Sequence, residues 1–184
     1  LQIRIRAQRN TPHTGAARTS AGVRRVSQRP PWLTVALGGG LAGALDLTFA
    51  FIFYGHQGMP PARLLRGIAA GVLGPSAFAA GPWSAALGAA LHFAIAGCAA
   101  FIFYAASRQL SVLRRHWVLC GAGFGVAMYV AMHFVVIPLS RLPFRLPALH
   151  NVIGELFSHV FLFGIVIAWA VAHARAAAAR AGGT

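Results

Sequence analysis

The sequence predicts an all-α, polytopic membrane protein: four transmembrane helices plus a short interfacial or re-entrant helix. Three observations predict it. The 184 residues are 58% hydrophobic and only 10% charged, where soluble domains carry about 25% charged residues. Mean hydropathy is +0.66. Four apolar runs, at about 32–54, 83–106, 116–139 and 149–172, are long enough to cross a bilayer, which takes ~20 residues. Backbone groups in lipid must be satisfied within the segment, so these runs are helices.

The elements follow in chain order. Residues 1–31 hold seven Arg, five Ser or Thr, three Pro and no acid. Nothing there forms an apolar face, so a disordered Arg-rich tail is expected. Arg24-Arg25 ahead of an apolar run is a faint twin-arginine signal. The run itself contains Asp46 and ends in "FAFIFYGHQG" without a small-x-small site, so it reads as a retained first span. Between the first two spans, Pro60-Pro61 starts a helix and Gly74-Pro75 ends it. That segment, about 61–74, is too short to span, and Leu64, Leu65, Ile68 and Val72 give it one apolar face flanked by Arg63 and Arg66. The 140–148 loop is short and stiffened by Pro143 and Pro147. Residues 174–184 read as a short cytoplasmic tail. Trp32, Tyr54, Trp83, Tyr104, Trp117 and Trp169 lie near run ends, where interface anchors stand.

All sixteen basic residues are Arg, and net charge is +14. The absence of Lys beside abundant Ala and Gly fits a GC-rich bacterial coding bias. The Arg residues lie in tails and loops around apolar spans, which points to topology and anionic headgroups and away from nucleic acid. With both termini inside, twelve Arg fall on the inner side and four on the outer. The positive-inside rule therefore expects both termini in the cytoplasm of a bacterial inner membrane. Without the tail the count is five against four. Cys98 and Cys120 form no CxxC motif and read as small packing residues. "AFIFY" occurs at 50–54 and 100–104 and reads as an aromatic belt near two span ends.

Asp46 and Glu155 are the only acidic residues of the chain, and both lie inside apolar runs. A charge at the bilayer centre costs about 2.5–3.5 kcal/mol on insertion scales, so such residues face the bundle and find partners. Gly39 and Gly43, a GxxxG pair, share the side of Asp46 and let another helix approach. His92 shares a stripe with Gly88 and Ala96. Gly121 and Gly125 form a second GxxxG, and His133 follows Tyr129 by one turn. Asn151, Glu155 and His159 stand at i, i+4 and i+8 on one face. Depth along alternating helices predicts that Asp46, His92 and His159 meet near the midplane. It also predicts that His133 and Glu155 pair nearer the outer side.

These residues suit a proton relay, an ion site or a ligand site. The plain alternative is interhelical polar glue, worth about 0.6 kcal/mol per contact. A third reading is metal or haem held by His92, His133 and His159. The fourth span has ExxxH where di-iron bundles have ExxH, and no phosphate loop, Ser/His/Asp set or zincin motif occurs. No cofactor or metal is assigned.

The blocks "GGGLAGALDLTFAFIFYG", "RGIAAGVLGPSAFAAG", "ALGAALHFAIA", "YVAMHFVVIPLS" and "GELFSHVFLFGIVIA" together resemble a group of small four-helix bacterial inner-membrane proteins of uncharacterised function. The last two blocks also resemble the YagU-like inner-membrane proteins. The resemblance covers roughly 32–172 and implies a polytopic inner-membrane protein, with attention to Asp46, His92 and His159. Asn often stands in that pattern where this chain has His133, which weakens any scheme that needs His133. The resemblance implies no reaction. The sequence thus points to a non-enzymatic membrane protein: a small transporter or a component of envelope or stress homeostasis. A redox protein with His ligands and a structural subunit are the alternatives. The expected partners are the lipid bilayer and either a second copy or another membrane protein.

Overall fold

The computed structural model describes residues 30–143 and 146–180. The Arg-rich tail expected at 1–31 falls, up to residue 29, outside the described residues. Among them the fold is all-helical, with no strand. Helix α1 is Pro31–Gly55, α2 is Pro61–Leu73 and α3 is Pro82–Gln109. A single turn, α4, is Val112–Arg115. The last two spans are α5, Trp117–Leu139, and α6, Leu149–Ala174. The final helix runs on to Arg180, into the segment expected to be a tail. Helices α1, α3, α5 and α6 are long and apolar enough to cross a membrane. The chain is a multi-pass integral membrane protein.

Local chemistry sets the boundaries. Pro stands in the first turn of α1, α2 and α3, where its missing N–H costs nothing. Gly74 and Gly81, at φ 70° and 82°, turn the chain from α2 into α3. A short 3-10 segment, Gly74–Phe78, lies between them. Two wide π turns interrupt the spans: Met132–Val136 in α5 and Ser158–Gly164 in α6. Such turns are rare and concentrate at functional sites.

Helix α1 packs on α3 and α6, and α6 packs on α5. Gly39 and Gly43 carry the α1–α3 contact, against Ala96, Gly97 and Ala100. Gly121 and Gly125 carry the α5–α6 contact, where a Cβ on Gly121 would stand 2.8 Å from the Ala168 methyl. Helices α3 and α5 meet at Phe103 and Phe124, ring centroids 5.1 Å apart. This contact belongs to a small-residue core of Ala42, Ala96, Ala99, Ala100, Phe163, Ile167 and Ala168. That core closes the end of the bundle away from α2. Towards α2 the space between α3 and α5 is open.

Helix α2 packs along α3. Gly88 lets the Leu65 carbonyl approach, where any Cβ would collide. The buried residues of α2 are Ala69 and Ala70, while Val72, on the apolar face of the expected interfacial helix, is 55% exposed. Small residues win this interface because close backbone approach replaces bulky packing. Cys98, read as a packing residue, is exposed on α3. Leu119, Ile153 and Phe101 are also exposed, as lipid-facing side chains are.

Candidate intramembrane site

A cavity of about 230 Å³ occupies the open half of the bundle. Five helices line it. Asp46 comes from α1, His92 from α3, His133 from α5, and Glu155 and His159 from α6; Leu64 and Ile68 of α2 form an apolar wall. Five of the six polar candidates thus share one cavity. Asn151 is not among its lining residues, and its Oδ1 is buried without a hydrogen bond.

Glu155 is the hub. The Tyr54 hydroxyl, from the end of α1, donates to its Oε1. His133 Nε2 lies 2.8 Å from its Oε2. That approach is off the line of a hydrogen bond, and Oε2 has no other partner among the described residues. His133 Nδ1 is 3.0 Å from the Tyr129 carbonyl and must donate to it. In a neutral ring with that tautomer Nε2 is bare. A proton on Nε2 or on the carboxyl would turn this contact into an attractive one. The Tyr129 ring lies over His133, centroids 4.2 Å apart, and is itself buried.

The other three groups are held separately. Buried Ser158 donates to Asp46 Oδ1 at 2.5 Å. His92 Nε2 lies 2.9 Å from the Gly43 carbonyl of α1, and the ring N–H must donate. His159 Nδ1 likewise donates to the Glu155 carbonyl at 2.8 Å. Asp46 therefore meets a serine where the sequence pointed to His92 and His159. It forms no ion pair among the described residues. Asp46 is thus the cavity carboxyl that no cationic side chain among the described residues faces at ion-pair distance.

The π turns make this arrangement possible. A wider turn spaces successive side chains by a smaller angle, so Ser158 and His159 both reach the interior. Ser158 and Tyr54 are the residues that sequence reasoning missed as site members. Its place near a span end marks Tyr54 as an interface anchor, and its hydroxyl closes on Glu155. Ser158 had a signal: it lies beside His159, and one turn past Glu155.

A second, larger space of about 530 Å³ continues towards α2. Leu64, Ile68, Ile95, Met132 and Ile137 line both spaces and form the neck between them. Among the described residues this vestibule is apolar apart from Tyr54, Ser140 and Arg63, and Arg63 is exposed at its edge. Among the described residues no three His, Cys, Asp or Glu side chains are placed to hold a metal ion. No family model, curated protein or solved structure matches the chain.

Proposed function

We propose that the protein is a small membrane carrier, not an enzyme, which moves a solute in exchange for a proton. One observation carries this reading: five ionisable side chains from four spans line a single cavity that is closed by core at one end and open through a vestibule at the other. Ionisable residues are expensive at this depth, and those that line a cavity mark ion and substrate paths. Asp46 exchanges the proton, and the His133–Glu155–Tyr54 cluster braces α1, α5 and α6 around it. One chain completes the cavity, so a second copy is not needed to build the site. With both termini in the cytoplasm of a bacterial inner membrane, the vestibule opens outward.

The test is proton movement in proteoliposomes containing a pH-sensitive dye. A carrier gives a dye signal that depends on an added solute from a panel of amines, carboxylic acids and sugars. Asp46→Asn keeps the Ser158 hydrogen bond and abolishes the signal. If the structural role were the whole story, no solute in the panel would move protons through wild-type protein.

A further inference from the structure

The hydrogen bonds around the cavity select its occupant, which on the carrier reading is the transported solute. Each cavity histidine uses one ring N–H on a backbone carbonyl: His92 on Gly43, His133 on Tyr129 and His159 on Glu155. In the neutral ring the second nitrogen is an acceptor. His92 Nδ1 and His159 Nε2 have no protein partner among the described residues. Asp46 Oδ2 is a third acceptor, because Ser158 takes only Oδ1. Among the described residues no Arg lines the cavity. An occupant that satisfies these atoms must donate hydrogen bonds, and a cationic donor also pairs with the Asp46 carboxylate. The acceptors are not grouped tightly enough to close on a bare metal ion. An ammonium reaches further, because its N–H bonds span nearly 3 Å between heavy atoms.

The vestibule adds the second requirement. It is walled by Leu64, Ile68, Ile95, Met132 and Ile137, so the part of the ligand lying there is apolar. We propose that the site binds an amphiphilic primary amine, its ammonium at Asp46 between His92 and His159, and its carbon chain through the neck into the vestibule. Exposed Arg63 at the edge disfavours a second ammonium at the far end of the chain, so monoamines bind better than diamines of equal length.

The experiment is calorimetric titration of the full chain, purified in detergent, with butylamine, hexylamine and octylamine. Octanoate, octanol and 1,8-diaminooctane are the controls. Amine affinity should rise by up to about fourfold per methylene, and octanoate should not bind. Asp46→Asn, checked for helix content by circular dichroism, should weaken octylamine at least tenfold in the same detergent. Ile68→Trp should weaken octylamine and spare butylamine. Equal binding of octanol and octylamine, or full octylamine affinity in Asp46→Asn, would overturn the proposal. The ammonium of phosphatidylethanolamine has the same chemistry. In vesicles with and without that lipid, competition against octylamine assigns the native ligand to the headgroup, and its absence assigns it to a free amine. Amine binding without solute-driven proton movement leaves this assignment standing and sinks the carrier. Movement driven only by non-amines does the reverse.

Discussion

Glu155 ties three spans together, and removing one arm of that contact has a calculable effect. Tyr54→Phe leaves Oε1 without its donor and removes a hydroxyl that bridges the end of α1 to α6. Interhelical hydrogen bonds in membranes average about 0.6 kcal/mol and reach about 1.7, while bonds to charged groups in water-soluble proteins are worth about 1.5–3 kcal/mol. The Glu155 side chain is only 20% exposed and also faces His133, so the upper end of the membrane range applies. We expect a coupling of about 1.5 kcal/mol between Tyr54 and Glu155, roughly tenfold in the folding equilibrium. The assay is a double-mutant cycle with Tyr54→Phe and Glu155→Leu, unfolding the protein from mixed micelles and following circular dichroism. The cycle cancels the loss of the His133 contact, which is common to both backgrounds. With Glu155→Gln in place of Leu, the coupling should shrink and not vanish, since an amide oxygen still accepts. A coupling below about 0.3 kcal/mol, under the membrane average, would refute the hub.

Other predictions follow from close approach and from the neck. Gly125→Leu puts a Cβ into the His159 carbonyl and should block α5–α6 packing, seen as loss of a monodisperse folded species in detergent chromatography. Gly88→Leu collides with the Leu65 carbonyl and should release α2 from α3, seen as faster proteolysis within 56–81 while the four spans persist. Ser158→Ala leaves Asp46 with no hydrogen-bond donor and should destabilise the protein by about 1–2 kcal/mol in the same micelle assay, whereas Ser158→Thr should restore most of it. Leu64→Trp should narrow the neck and slow any solute-driven proton movement without lowering thermal stability.

The fold was legible because bilayer physics writes it in simple terms. Long apolar runs, Pro at helix starts and Gly at turns are local signals, and they give an all-helical, four-span protein. The polar candidates were legible by their cost, since a carboxylate or imidazole in an apolar run needs a reason. That rule is blind to partners. It ranked Asn151 with Glu155, although Asn151 is not on the cavity wall. It missed Ser158 and Tyr54, because a serine or an end-of-span tyrosine costs little and stands out from nothing. The π turns in α5 and α6 depend on how two helices pack, which hydropathy does not encode. The one in α6 begins at Ser158, the residue that donates to Asp46. The bulky residues of α2 marked its apolar face, but not the face on α3, where Ala69, Ala70 and Gly88 permit a close approach.

The most direct measurement is thiol labelling of His159→Cys in a background with Cys98 and Cys120 changed to Ser. Impermeant methanethiosulfonates carrying a trimethylammonium or a sulfonate group are applied to vesicles of each orientation. Each rate is normalised to that of a free thiol. A cavity open only on the α2 side gives labelling from that side alone, faster for the cation, with the preference collapsing when Asp46→Asn is added. Labelling from the opposite side, no labelling at all, or equal rates for the two charges would contradict a one-sided cavity whose charge is Asp46.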